Sequence, residues 1–409
     1  MNVVDVSSGQ SARERAEPGS FQAGADSAPA ATQGLSAVGD GAIATVVFRA
    51  TAKEGPRGGL FFLDAEGRTT DTAAPLFATK SSARLAFAPL PDRDPRIFAF
   101  DDGSGRPVIG ALDEALAPAM AKVGGISGSV VSLVEDGDHV AALMETVSGS
   151  GPPSQSVLLL HMDLYGENPI WIEVESRDLA LSRSRVITAL TFHAGDLYAA
   201  VADPVGGCDL FRLALREPKA VWKPVFKRGA YRFALNAAVS AIAHDGDHLL
   251  LGTAALATGA VSVGNWGPEL LIVEPDGSWD LVIGQPRLSP DGLRLPASAL
   301  MPGIDSSENA AISAIASGPV GGVRRVFIAL QGYSGPEPGD RERLRPLLGD
   351  YSGATRIYAS DDMLEWTALD VTLPADAGAV TSLCVTGSGL LVGHEGTARD
   401  GVPVTFTPA

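Results

Sequence analysis

An all-β chain built as a β-propeller is what this sequence predicts, on three observations. A hairpin phrase recurs five times, a tryptophan recurs at one place behind it, and helical 3.6-residue periodicity is almost missing. The phrase is clearest at 239–253, VSAIAHDGDHLLLGT: a short apolar run, an Asp/Gly break, then a second apolar run. Its copies begin at Val130, Ile187, Val239, Ile312 and Val380, nearly every one as a hydrophobic-small-small-hydrophobic strand. The breaks read EDGD, HAGD, HDGD, GPVGG and TGSG, and hairpin turns need such residues because they accept positive φ.

A third strand and then a tryptophan strand follow in four units, placing Trp171, Trp222, Trp279 and Trp366 at one position of the repeat. Four strands repeated behind an inner hairpin describe a propeller blade, and small residues in the first strand suit a crowded axis. The region 41–125 holds weaker copies (AIATVVFRAT, GLFFLDAEG, ARLAFAPL, RIFAFDDG), enough for two irregular blades. The expectation is therefore seven four-stranded blades, with six as the alternative, over a single domain spanning 39–409. The last unit stops at its third strand, VPVTFTPA, so its outer strand is expected from near the N-terminus, which would remove an open edge. Residues 109–123 are the one expected helix. Residues 1–38, rich in Ala, Ser, Gly and Gln with Phe21 as the one aromatic, are expected to be a disordered tail, because they offer little surface to offset ordering entropy.

Bulk properties narrow the function classes. With 409 residues and 45% hydrophobic composition the chain can bury a large core. A formal charge of −17 opposes phosphate backbones and anionic membranes, so neither nucleic acid nor membrane is an expected partner. The start lacks the apolar run of a secretory signal, and no stretch reaches the roughly eighteen apolar residues of a membrane span, so a soluble cytoplasmic protein is expected. Cys208 and Cys384 stand far apart and read as buried free thiols.

At YASDDMLEWT (358–367), Ser360 and Asp362 are spaced as in the Asp-box turn between third and fourth strands, with Trp366 close behind; EPDGSWD (274–280) is a looser echo. This stretch resembles the sialidase-like propellers. The box is structural there, so the resemblance implies the fold and no catalytic residue. It covers one blade: the box glycine would fall at Leu364 and its aromatic at Thr367, and the arginine triad, nucleophilic tyrosine and acid of a sialidase have no match.

Propeller geometry places candidate site residues where motifs do not. The ends of the second strands should converge on the channel mouth, a fold-level analogy. Aligning them brings Glu145, Ala202, Ala254, Gln331 and Glu395 to one level, with Asp203 and His394 beside it. His394, Glu395, Glu145 and Asp203 are the candidate acid/base groups, and Gln331 a ligand-binding amide. The plain alternative is that these are solvated strand ends of an acidic protein. Two insertions enlarge the same face: 255–269 brings Asn265 and Trp266, and 331–353 brings Tyr333, Arg341, Arg343 and Tyr351, either as a lid over an anionic ligand or as a solvated flap.

No metal or cofactor is required by the sequence. His-x-His and HExxH spacings are missing, and calcium, though oxygen ligands could hold it, has no DxDxDG loop. The expected function is binding of one small-molecule or glycan-like ligand at the mouth, with hydrolase, lyase or isomerase chemistry open. The alternative is a non-catalytic scaffold or lectin-like module.

Overall fold

The computed structural model describes residues 3–4, 29–38, 40–48, 57–69, 77–79, 85–87, 97–101, 107–112, 118–122, 128–136, 139–146, 154–161, 171–217, 220–255, 267–306, 309–332, 355–397 and 402–408. Antiparallel strands follow one another in sets of four. The first set is Pro29–Val38, Gly41–Phe48, Arg57–Leu63 and Phe77–Thr79; the second is Leu85–Phe87, Ile97–Asp101, Pro107–Leu112 and Pro118–Lys122. The third is Ser129–Glu135, His139–Thr146, Ser154–His161 and Trp171–Val174; the fourth is Val186–His193, Asp196–Ala202, Asp209–Leu213 and Trp222–Phe226. The fifth is Ala238–Asp245, His248–Ala254, Leu270–Val273 and Trp279–Ile283; the sixth is Asn309–Val320, Val323–Gly332, Thr355–Ser360 and Thr367–Leu369. Val380–Thr386, Gly389–Thr397 and Val404–Pro408 make a seventh set of three. Up-and-down sheets in this succession are the strand plan of a β-propeller. Contacts divide the chain into two units, 1–176 with 374–377 and 386–409, and 177–373 with 378–385.

The recurring phrase has a local cause that its composition only hints at. In the first strand of the first, third, fourth, fifth and sixth sets the pairing register slips by one, leaving Gln33, Val131, Thr188, Ser240 and Ser313 as the extra residue of a β-bulge. Where that residue carries a hydroxyl, it donates to a carbonyl of the second strand: Thr188 to Ala200 (3.4 Å), Ser240 to Gly252 (3.3 Å) and Ser313 to Ala329 (3.4 Å). Ser240 also donates to the Ile312 carbonyl at 2.8 Å, tying the fifth first strand to the sixth. A bulge bends its strand and raises the local twist.

Burial explains why the second strands read as unbroken apolar runs. Leu249 and Leu251 pack with Tyr198, Leu210 and Phe226 of the fourth set, whereas Leu250 points the other way, onto Ile312, Val326 and Ile328 of the sixth. Alternate residues of one strand thus serve two cores. Trp222 and Trp279 open their fourth strands and are buried at 4% and 2% exposure. Gly252 is needed at its place because a Cβ there would meet Ile312 at 2.6 Å. Both cysteines are buried free thiols; burial pushes Cys384 up to about 12 and raises Cys208 as well.

Three expectations change. The segment expected to be a tail as far as Val38 supplies the first strand, Pro29–Val38, paired with Gly41–Phe48 on one side and, at Pro29, Ala30 and Ala31, with Thr397, Gly396 and Glu395 on the other. Ala30 and Thr32 are 1% and 0% exposed, so this strand is buried although its residues are small and weakly apolar. The last set therefore meets the first through its second strand. The extreme N-terminal pair Val3–Val4 lies instead on Trp171–Val174. Finally, the expected helix over 109–123 is a pair of strands, Pro107–Leu112 with Pro118–Lys122, because Pro118 breaks a helix and Ile97–Asp101 offers a pairing edge.

A chain beginning after Val38 is expected to lose the cooperative urea transition of the full chain, since it lacks an inner strand. An unchanged midpoint and slope would show that Pro29–Val38 contributes nothing.

Candidate functional site

Within the 177–373 unit, the level at which the second strands end is where one sheet is stitched to the next. The Asp203 N–H donates to the Ala237 carbonyl, Ala237 to Ala254, and Ala255 to Ala310, each at 2.9 Å, and Ala254 pairs with Ala311. Val186, Ala202, Ala237, Ala238, Ala254 and Ala311 pack together there. In the other unit Glu395 pairs with Ala31 in the same way.

The candidate acid/base groups have the following surroundings. Asp203 accepts from the Val205 and Gly206 N–H groups (3.0 and 2.7 Å) and from Arg185. Burial alone would raise its pKa; the two N–H donors and the guanidinium outweigh it and hold the carboxyl below the usual range. His394 contacts the Glu395 carbonyl through Nδ1 (2.9 Å) and the Thr405 hydroxyl through Nε2 (3.3 Å), and burial lowers its pKa. Glu145 is 7% exposed, and Glu395 is half-buried. Gln331 is 1% exposed, and its Nε2 has no hydrogen-bond partner among the described residues. Asn265, Trp266, Tyr333, Arg341, Arg343 and Tyr351 lie outside the described residues. Among the described residues no group of three or more His, Cys, Asp or Glu side chains could hold a metal ion.

The most organised polar centre in the 177–373 unit was not evident from the sequence. Glu269, fully buried, receives Arg287 through both terminal guanidinium nitrogens (2.8 Å each), Asn236 Nδ2 at 2.6 Å and the Gln285 N–H at 2.7 Å. Arg232, also buried, donates to the Asn236 side-chain oxygen (3.1 Å) and the Gly267 carbonyl (2.7 Å), with its Nε 3.6 Å from Glu269. Burial pulls the Arg232 pKa down despite that carboxylate. The centre fixes the loop 228–236, where Arg228, Gly229, Ala230, Tyr231 and Phe233 all have positive φ. Outside glycine such backbone is held only by its surroundings.

A repeat lies beneath this centre. The Gly229 N–H donates to the Cys208 carbonyl (2.7 Å) and the Asn236 amide to the Gly229 carbonyl (3.0 Å). One set later the Gly303 N–H donates to Pro268 (2.8 Å) and the Asn309 amide to Gly303 (2.9 Å). The signal that could have found it is in two phrase pairs, GCD (207–209) with GPE (267–269) and NAAVSAI (236–242) with NAAISAI (309–315).

Arg287 also begins a two-stranded ribbon, Arg287–Ser289 with Gly292–Arg294. Arg287 and Arg294 are cross-strand partners and turn inward, over the Trp279 ring at 5.9 and 5.1 Å, with Arg294 paired to Asp280 at 2.9 Å. Leu288 and Leu293, the neighbouring cross-strand pair, turn outward at 74% and 62% exposure, followed by Leu295 at 60%. An isolated two-stranded ribbon is marginal in water, so its inward arginines anchor it. Phe233 and Val205 are exposed on the adjoining loops, whose contact is shown by the Phe233 carbonyl, 2.3 Å from where a Cβ on Gly207 would stand.

No family model matches the chain, and no curated protein does. Solved structures do. An acylaminoacyl peptidase of Pyrococcus horikoshii is 10% identical, with a TM-score of 0.51 over 92% of this chain and 51% of that one. The β-propeller domain of the Trilobed protease from Pyrococcus furiosus is 10% identical, with a TM-score of 0.48 over 93% and 94% of the two chains. A puromycin hydrolase is 16% identical, with a TM-score of 0.46 over 90% and 50%. This chain spans about half the length of the acylaminoacyl peptidase and of the puromycin hydrolase. At such identities the likeness is one of fold, and the chain is a β-propeller.

Two outcomes follow from the buried groups. Glu269→Ala leaves two guanidinium groups unpaired and is expected to destabilise by about 3–5 kcal/mol, read from the urea midpoint; a loss below ~1 kcal/mol would show that the centre is solvated. Burial holds the pKa values of His193 and His394 below the ordinary histidine range. They stay neutral when folded while the unfolded chain takes up protons, so stability is expected to fall as pH drops below ~6.5 towards the folded values. His394→Gln should flatten part of that slope between neutral and mildly acidic pH.

Proposed function

We propose that this β-propeller is a docking module, and that its partner seats on the loops of the 177–373 unit around the Arg287–Ser289 and Gly292–Arg294 ribbon. The observation that carries this is the inverted ribbon. Its two arginines are half-buried against Trp279 and its leucines face water, although an amphipathic ribbon left to itself would do the reverse. Five of the seven large hydrophobic side chains exposed among the described residues stand on these adjoining loops: Val205, Phe233, Leu288, Leu293 and Leu295. Single exposed apolar residues need no explanation, but a group of them marks an interaction surface.

A second reading keeps the single small-molecule or glycan-like ligand, with hydrolase-type chemistry. What favours it is Gln331, whose buried Nε2 has no partner among the described residues and would be satisfied by a ligand oxygen. The activities named for the acylaminoacyl peptidase and the puromycin hydrolase belong to this reading alone, as does any acid/base part for His394, Glu395, Glu145 or Asp203. The sialidase-like resemblance is supported by the turn at 360–366. There Ser360 Oγ accepts from the Met363 N–H (2.8 Å) and Asp362 Oδ1 from Leu364 and Glu365 (2.8 and 3.0 Å).

The docking reading is tested by placing a photo-crosslinking p-benzoylphenylalanine at Leu293 in the source cells. A discrete adduct with another polypeptide is expected, and it should vanish when Leu288 and Leu295 are serine. Irradiation that yields only the uncoupled chain ends the proposal.

A further inference from the structure

We infer that the docked partner is an acidic polypeptide segment carrying apolar side chains. This rests on the docking reading above and adds the chemistry of the partner. The leucine surface alone would accept any greasy segment; the charges around it select. On the loops 177–185, 203–208 and 227–236 and the insertion 284–301, the exposed charged residues are Arg177, Arg183, Lys227 and Arg228 against Asp178 and Asp291. A basic excess at this place runs against the rest of a chain whose formal charge is −17.

Those four cations are available. None of them forms an ion pair among the described residues, whereas Asp291 lies 3.6 Å from Arg294. Arg228 stands with its guanidinium 6.0 Å from the ring centroid of exposed Phe233, so charge and apolar surface adjoin on one side chain pair. The loops also hold together as one surface. Arg185 pairs with Asp203, the Arg228 N–H donates to Asp209 (2.8 Å), and Arg287 Nε donates to the Ala230 carbonyl (2.6 Å). The platform is anchored to the buried Glu269, so a partner meets a preformed face and loses little in ordering it.

A second copy of this chain fits less well, because a symmetric contact through this face would bring the same cations together. Three leucines also cover far less than the roughly 800 Å² per partner of a standard stable interface. A short segment with alternating apolar and acidic residues satisfies both halves of the surface at once.

The test is fluorescence anisotropy with the full chain and three labelled dodecapeptides, alternating Leu/Glu, Leu/Lys and Ser/Glu. The Leu/Glu peptide is expected to bind about tenfold or more tightly than either control, with an affinity that falls as salt rises. The Leu288→Ser/Leu293→Ser/Leu295→Ser variant should weaken it by about tenfold or more. The Arg183→Glu/Lys227→Glu/Arg228→Glu variant should turn the preference towards Leu/Lys. All the substituted side chains are exposed, and an unchanged urea midpoint verifies that each variant folds. Equal binding of all three peptides overturns the inference, as does a concentration-dependent dimer that the leucine variant abolishes. If the crosslinked adduct forms but the peptides are not distinguished, the docking module stands and the partner chemistry falls. If neither is seen, both fall.

Discussion

The carboxylate of Glu269, taken fully out of water, governs the surface on which function is proposed. An unpaired carboxylate there would cost several kcal/mol, so the fold must deliver donors to it, and the donors come from two separate segments: Asn236 from one, the Gln285 N–H and Arg287 from the other. Meeting that demand pins the left-handed turn at 228–231 and draws the first residue of the ribbon inward. Once Arg287 and its cross-strand partner Arg294 face the interior, the alternation of the strand leaves Leu288 and Leu293 no direction but outward. One electrostatic constraint thereby produces an apolar exterior.

The same logic of satisfied groups separates structural from available chemistry elsewhere. Asp203 organises a turn and an arginine, and His394 meets a partner at each ring nitrogen, so both are held in place by their neighbours. Gln331 differs, since its buried amide nitrogen has no acceptor among the described residues. The polar level expected from aligned strand ends coincides, in the 177–373 unit, with backbone stitching between alanines. Small side chains are required there because two main chains approach to hydrogen-bonding distance.

Much of the architecture was legible because it repeats. The phrase at 239–253 marks an inner hairpin wherever it occurs, Trp222 and Trp279 open outer strands, and the alternation of Leu249, Leu250 and Leu251 between two cores accounts for an apolar run with no polar face. The strand at Pro29–Val38 was hidden because its buried residues are alanine and threonine, which composition counts as weak. The segment 109–123 misled because its spacing of apolar residues suits a helix, while Pro118 and a waiting strand edge decide otherwise.

What the sequence determined by itself is what its local periodicity carries: the recurring hairpins with their turns, the tryptophan strands behind them and the acidic net charge. What only the tertiary structure decided is which polar groups are paired and which apolar ones are left in water. Glu269 and Arg287 are 18 positions apart and Arg228 meets Phe233 through a left-handed turn, so no spacing rule links them. Partnership between buried charges depends on three-dimensional proximity and on the cost of leaving water, and neither is written in the order of the residues.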